Sequence, residues 1–168
     1  MTSAELLAVA AIEHGKYAQA FPSFGPERRG APVVAFCRIS DEPIRLRANI
    51  YEPDVVIVLD PSVMTIAHVE QGLKPEGTLI CNTKYDGKHI REILKVSQKT
   101  ATVDASHIAM QILGLPITNT TMLGALIKAT GLLEKDALEG PLKRRFGKIA
   151  EKNILAYKEA FEKTTVLE

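Results

Sequence analysis

Residues 54–60 read Asp54-Val55-Val56-Ile57-Val58-Leu59-Asp60, and this stretch decides the fold. Its continuous apolar run is typical of a strand that is buried on both faces, as in a parallel sheet. Similar apolar runs follow at residues 77–81 and 100–103. Helical patterns occupy residues 63–71, 87–96 and 105–113. Because strands alternate with helices along this region, the sequence predicts parallel βαβ units and an α/β fold.

The segments on either side of this region complete one domain. On the N-terminal side, a predicted helix over residues 2–14 precedes three predicted strands, at residues 17–21, 32–39 and 44–48. The turn at residues 41–43 joins the last two of these strands as an antiparallel hairpin. After Pro116 the pattern is helical, over residues 121–130, 134–146 and 150–163. We predict a single three-layer α/β/α domain over residues 1–168, with a mixed sheet and a helical C-terminal tail.

The composition is that of an ordinary globular protein, with 46% hydrophobic and 24% charged residues among 168. A formal net charge of +1 gives no bulk attraction to nucleic acid or to a membrane surface. Cys37 and Cys81 match no zinc or iron–sulfur spacing, and we expect them to be reduced core residues of a cytoplasmic protein. The four histidines are scattered, so we expect no metal site and no catalytic residue in this chain.

Polar side chains follow the predicted parallel strands at the point where each strand ends. These residues are Asp60, Asn82 with Thr83, and Asp104. Because ligands of parallel sheets bind beyond the carboxyl ends of the strands, these side chains could line one crevice. The same residue types also cap the helices that follow such strands. We favour the cap for Asp104, and both interpretations stay open for Asp60 and Asn82.

The stretch Ile117-Thr118-Asn119-Thr120-Thr121 is a candidate binding segment. Pro116 ends the preceding element, and the four polar residues lead into an apolar helix that starts near Met122. Hydroxyl groups, an amide and the N–H groups of a helix start favour an anion, helped by a dipole equivalent to about +0.5 charge. Simple helix capping needs only one of these residues. We therefore interpret Thr118, Asn119 and Thr120 as candidate ligand contacts.

A second candidate binding segment lies within residues 20–36, where prolines and glycines frame the pair Arg28-Arg29. Proline fixes φ and glycine frees it, so these residues predict a loop of defined shape. Two guanidinium groups on such a loop are suited to bidentate binding of phosphate or carboxylate. Pairing with Glu27 or with a neighbouring subunit is an equal alternative.

Several stretches together resemble one family. The stretch Phe21-Pro22-Ser23-Phe24-Gly25-Pro26-Glu27-Arg28-Arg29-Gly30-Ala31-Pro32 is similar to the signature of the gamma subunits of 2-oxoacid:ferredoxin oxidoreductases. Further similar stretches follow in the same order: 51–56 with 59–61, 82–83, 113–120, 123–125 and 157–166. The resemblance covers nearly the whole chain.

The resemblance implies a role inside a larger enzyme of anaerobic metabolism, a pyruvate synthase or a related complex. Such a complex decarboxylates a 2-oxoacid oxidatively, transfers the acyl group to coenzyme A and reduces ferredoxin. The resemblance places thiamine diphosphate and the iron–sulfur clusters on partner subunits, so this chain alone binds no cofactor. Its expected partners are alpha, beta and delta subunits, the last of them ferredoxin-like, with ferredoxin reached indirectly. The gamma subunit would help to bind coenzyme A through Arg28, Arg29, Thr118, Asn119 and Thr120, and would pack on the alpha subunit.

The alternative is a purely structural subunit without ligand contact. Members of the resembled family usually begin with a strand and a glycine-rich turn, directly before a helix like that over residues 2–14. This chain begins at Met1, and we expect that strand and turn to be missing from it. The resemblance does not indicate whether the 2-oxoacid is pyruvate, a branched-chain oxoacid or 2-oxoglutarate.

Overall fold

The structure is a computed structural model, and it describes residues 1–23 and 31–168. The α-helices are α1 (Thr2–Glu13), α2 (Gly87–Leu94), α3 (Ala105–Leu113), α4 (Thr121–Thr130), α5 (Glu139–Phe146) and α6 (Ala150–Lys163). The strands are β1 (Tyr17–Pro22), β2 (Ala35–Ser40), β3 (Val55–Val58), β4 (Thr78–Asn82), β5 (Lys99–Val103) and β6 (Thr165–Leu167). Short 3₁₀ turns cover Pro61–Val63 and Gly147–Ile149.

The main sheet has the strand order β3-β4-β5-β6. Strands β3, β4 and β5 are parallel, with Val55 opposite Thr78 and Thr78 opposite Lys99. Strand β6 runs antiparallel to β5 and closes one side of the sheet. The predicted parallel strands and mixed sheet are confirmed, and β4, α2 and β5 form a βαβ unit. Strand β6 is not predicted by the sequence pattern.

Apolar side chains cover both faces of this sheet, as the continuous runs predict. On one face, Ile80 of β4 packs in a core with residues of α1, α3, α4 and α6. On the other face, Leu79 and Cys81 pack with Ile90 of α2. Because neighbouring residues of a strand point to opposite faces, one strand contributes to both cores. The predicted three-layer α/β/α arrangement is confirmed.

Helix α4 lies in the middle of the helical layer, and its residues 121–127 are all buried. Gly124 allows it to approach α6 closely. A Cβ atom built on Gly124 would lie 2.1 Å from the carbonyl oxygen of Tyr157. Tyr157 is itself fully buried, and its hydroxyl donates to the carbonyl of Lys135 over 2.7 Å. The close approach at this glycine is therefore between two helices.

The hairpin prediction was wrong in its pairing. Strand β1 pairs antiparallel with β2, from Tyr17 opposite Ser40 to Pro22 opposite Ala35. Residues 44–48 form no strand. The alternation of Ile44-Arg45-Leu46-Arg47 suits a strand, but strand formation depends on a neighbouring edge, and β2 already pairs with β1.

Two predicted helices also differ in the structure. Residues 64–72 form successive turns after the 3₁₀ turn, and His68 has a positive φ of 45°, which a regular helix does not contain. Helix α5 begins at Glu139 and not at Glu134. Pro141 explains the later start, because proline is tolerated in the first turn of a helix and disrupts its interior.

Candidate functional site

The carboxyl ends of β3, β4 and β5 lie along one edge of the sheet, which we call the carboxyl edge. Two carboxylates at this edge cap the turns or helices that follow. Asp104 accepts a hydrogen bond from the N–H of His107 over 3.0 Å, as expected for a cap of α3. Asp60 accepts from the N–H of Ser62 over 2.9 Å. Hydrogen bonds from Ser62 hold the pKa of the Asp60 carboxyl below its ordinary value.

Asn82 is a buried connection within the carboxyl edge. Its side chain is 1% exposed, and its amide nitrogen donates to the carbonyl of Leu59 and to the hydroxyl of Ser106, both over 2.8 Å. Its amide oxygen accepts from the N–H of Ser106 over 3.2 Å. Asn82 therefore ties the end of β3 to the first turn of α3, which excludes it as an open ligand contact.

The four polar residues of the candidate binding segment, which we call segment 118–121, lie against the same edge. The hydroxyl of Thr118 donates to the carbonyl of Leu59 over 3.3 Å, the carbonyl that Asn82 also contacts. The carbonyl of Asn119 accepts from the hydroxyl of Ser3 over 2.9 Å. The segment thus lies where the end of β3 meets the start of α1.

Thr120 and Thr121 form the buried side of the segment. The Thr120 hydroxyl donates to the amide oxygen of Asn153 over 2.8 Å. The Thr121 hydroxyl is fully buried and has no hydrogen-bond partner in the described part of the chain. A buried hydroxyl without a partner lowers the stability of the fold. Thr121 is the first residue of α4, where the first backbone N–H groups also lack partners within the helix.

Within residues 1–23 and 31–168, the side-chain amide of Asn119 makes no hydrogen bond to another described residue. Among the described residues, the segment therefore has two threonine hydroxyls with protein partners and one half-buried side-chain amide, that of Asn119, without a partner. The ligand roles of Thr118, Asn119 and Thr120 stay predictions. The N–H groups of Met122 and Leu123 at the start of α4 already donate to the carbonyls of Thr118 and Thr120. The contacts therefore favour the side chain of Asn119 as the group for a ligand.

One polar residue of this site, Asn153, is not among those predicted from the sequence; it lies on α6 and is 5% exposed. The sequence contains a signal for this residue, because its helical spacing places Asn153 on the same face of α6 as Ala150, Tyr157 and Ala160, all of which are buried. A polar residue on an otherwise apolar helix face needs a partner. The sequence could not show that the partner is Thr120.

Arg28 and Arg29 lie outside the described residues. They belong to the connection between β1 and β2, and the described hairpin shows what flanks it. Near that connection, Phe21 packs on Phe36 with ring centroids 5.3 Å apart. The guanidinium of Arg38 lies 5.4 Å from the centre of the Phe21 ring.

A shallow cavity of about 230 Å³ opens further along the carboxyl edge. Its walls combine Thr83, Tyr85 and Asp104 with Lys84 and Lys163. The edge is therefore polar from segment 118–121 to this cavity. Such an edge suits a ligand with charged groups.

Neither cysteine is suited to nucleophilic chemistry. Burial raises the pKa of the Cys37 thiol to about 11 and that of the Cys81 thiol to about 12. Both thiols are free, and they lie in different apolar clusters. In the described ranges, no group of three or more histidine, cysteine, aspartate or glutamate side chains could hold a metal ion, and no helix is long and apolar enough to cross a membrane.

Comparisons with known proteins extend these observations. Residues 1–163 match the family model described as pyruvate ferredoxin/flavodoxin oxidoreductase. The chain is 54% identical, over 100% of its length and 92% of the relative, to the pyruvate/ketoisovalerate oxidoreductases common subunit gamma of Pyrococcus furiosus. A crystal structure of a pyruvate oxidoreductase subunit of Thermotoga maritima has a TM-score of 0.88 and 37% identity, covering 99% of this chain and 90% of that one.

A more distant structure shares the fold alone. The 2-oxoglutarate:ferredoxin oxidoreductase of Magnetococcus marinus, solved with 2-oxoglutarate, coenzyme A and succinyl-CoA bound, has a TM-score of 0.70 and 21% identity. The likeness covers 97% of this chain and 27% of that one.

The fold defines an α/β protein whose polar groups gather at the carboxyl edge of a mixed sheet. The chain belongs to the pyruvate ferredoxin/flavodoxin oxidoreductase family, as a gamma subunit of the 2-oxoacid:ferredoxin oxidoreductases. It is thus a subunit of a multi-subunit oxidoreductase complex.

Proposed function

We propose that this gamma subunit helps to bind coenzyme A in a complex that oxidatively decarboxylates a 2-oxoacid to acyl-CoA and reduces ferredoxin. The observation that carries the proposal is the position of segment 118–121, which lies at the start of α4 and against the carboxyl edge. In open α/β sheets, this edge is where ligands bind.

The chemistry of coenzyme A fits the groups in this part of the chain. Coenzyme A carries several phosphate charges, and N–H groups at a helix start favour negative charge. Arg28 and Arg29 would supply bidentate contacts to those phosphates. Asn119 would donate from its side-chain amide, which is not used within the described residues.

The remaining expected components belong to other subunits in this proposal. Thiamine diphosphate supplies the decarboxylation chemistry when it is bound, and iron–sulfur clusters supply electron transfer. Cys37 and Cys81 do not suit an iron–sulfur site, because Cys81 is buried in one apolar core and Cys37 packs against the other. We assign these cofactors to the alpha, beta and ferredoxin-like delta subunits, and we propose a cytoplasmic location.

The alternative is a structural subunit that contacts only the alpha subunit. Exposed apolar residues close in sequence to segment 118–121 favour an interface: Met110 is 50% exposed, Leu115 55% and Ile117 48%. A contiguous apolar patch marks contacts between proteins, and these side chains would contribute to such a patch in this alternative. In this alternative, Arg28 and Arg29 would pair with carboxylates of the alpha subunit.

Alanine substitutions in the assembled complex separate the two functions. The test variants are Asn119→Ala and the double variant Arg28→Ala with Arg29→Ala. The matched control replaces the other adjacent arginine pair, Arg144 and Arg145, whose exposed side chains contact Glu13 and Glu5 of α1. Exposed ion pairs contribute little to stability, so this control should assemble normally.

If the subunit binds coenzyme A, the test variants raise the KM for coenzyme A about tenfold while assembly and the KM for the 2-oxoacid stay unchanged. The control changes none of these values. Loss of assembly with a normal KM for coenzyme A in the complex that remains would support the structural alternative. It would contradict the coenzyme A proposal.

A further inference from the structure

We infer that Asn153 is a positioning residue, which holds segment 118–121 in its binding conformation through the hydroxyl of Thr120. The inference rests on the proposed function for the identity of the ligand. The positioning can be measured without any ligand.

The hydrogen bond between these two side chains is buried and oriented. Thr120 is 2% exposed and Asn153 is 5% exposed. The amide nitrogen of Asn153 donates to the carbonyl of Ile149 over 3.1 Å, which turns the amide oxygen towards Thr120. Because the amide nitrogen is bonded to the turn that precedes α6, the amide oxygen is a fixed acceptor for the Thr120 hydroxyl.

The segment has two further attachments, each to a different element. Thr118 contacts the carbonyl that follows β3, and the Asn119 carbonyl accepts from Ser3 of α1. Asn153 adds the attachment to α6. These contacts leave the Asn119 side chain between two fixed residues, and preorganised groups bind more tightly because less ordering is needed on binding.

Stability alone does not explain a buried threonine–asparagine pair. The net contribution of such a hydrogen bond is modest, and two apolar groups of similar shape can give nearly the same stability. An apolar pair could not define the rotation of residue 120 in the same way. Fixing the geometry of the segment is therefore the contribution that distinguishes this pair.

The test uses the assembled complex and four variants. Thr120→Val removes the hydroxyl and keeps the shape, and Thr120→Ser keeps the hydroxyl. The double variant Thr120→Val with Asn153→Leu removes both polar partners and should recover stability. The control is Thr130→Val, which removes a half-buried hydroxyl from the other end of α4. That hydroxyl donates to the Leu126 carbonyl over 2.7 Å and accepts from the N–H of Leu132 over 3.3 Å.

Two quantities are measured: hydrogen-exchange protection of the amides of residues 119–123, and the KM and kcat with coenzyme A varied. We expect Thr120→Val and the double variant to lower the protection about tenfold and to raise the KM about tenfold, with kcat nearly unchanged. Thr120→Ser and Thr130→Val should resemble the unmodified complex in both quantities.

The outcomes separate this inference from the proposed function. Unchanged protection in Thr120→Val overturns the positioning role, and so does an equal rise of KM in Thr130→Val. Reduced protection with an unchanged KM supports the positioning role and contradicts coenzyme A binding by the segment. Recovery of a normal KM in the double variant would show that stability alone matters, and would overturn the inference.

Discussion

Gly124 is the position where a single methyl group should disturb the helical layer most. A Cβ atom on Gly124 would lie 2.1 Å from the Tyr157 carbonyl oxygen and 2.9 Å from the Phe161 nitrogen. Ordinary contact begins near 3.4 Å, so α4 and α6 would have to separate by about 1.3 Å. Both obstructing atoms belong to the backbone, and a rotamer change cannot move them aside.

The expected cost follows from these distances. Overpacking costs about 1–3 kcal/mol and occasionally more, and a clash with backbone atoms belongs at the upper end. Replacing glycine by alanine inside a helix returns about 1 kcal/mol of helix propensity. We expect Gly124→Ala to lower the free energy of unfolding by about 2 kcal/mol or more, which corresponds to a Tm lower by about 4–8 °C for a chain of this size.

Gly140 provides the matched control, because it also lies in a helix. A Cβ atom there would meet only flexible side-chain ends, with Arg144 Nη1 nearest at 3.3 Å. Gly140→Ala should be neutral or stabilising by up to about 1 kcal/mol. Urea unfolding followed by circular dichroism measures both variants. A Gly124→Ala variant as stable as Gly140→Ala would refute the close packing of α4 on α6.

Two further predictions concern buried groups. Tyr157→Phe removes the hydrogen bond to the Lys135 carbonyl. We expect this variant to lower the free energy of unfolding by about 1 kcal/mol, measured by urea titration. An unchanged urea midpoint would contradict the contact. The thiols of Cys37 and Cys81 have pKa values raised to about 11 and about 12, so the folded chain keeps their protons when the unfolded chain begins to lose them. Their contribution to stability is therefore present below about pH 9 and is lost as the pH rises towards 11–12. In Cys81→Ala, the free energy of unfolding should decrease less steeply as the pH rises above about 9. If it decreases as steeply as in the unmodified chain, the burial of the Cys81 thiol is contradicted.

The parallel core could be predicted from the sequence because burial on both faces leaves a direct trace. Residues 55–59 are continuously apolar, and the structure places alternate residues of such strands in two separate cores. Strand β6 leaves no such trace. Its three residues are held by pairing with β5 and by Arg91, whose guanidinium donates to the Leu167 carbonyl over 2.9 Å. Contacts of this kind depend on the assembled fold.

The same distinction applies to the candidate site. The polar run at residues 117–121 and the asparagine at the end of β4 are visible in the sequence. The sequence does not show which of these side chains contact other parts of the fold and which stay without a partner. Thr120 meets Asn153, which lies 33 positions away, and Thr118 shares the Leu59 carbonyl with Asn82. These tertiary contacts turn two threonines into supports and leave Asn119 as the amide without a described partner.

A structure of the assembled complex with coenzyme A bound tests the central claim most directly. We predict that phosphate oxygens or the flexible arm of coenzyme A lie within hydrogen-bond distance of segment 118–121, with the side chain of Asn119 among the contacts. A fully occupied coenzyme A whose contacts all belong to other subunits would contradict the claim.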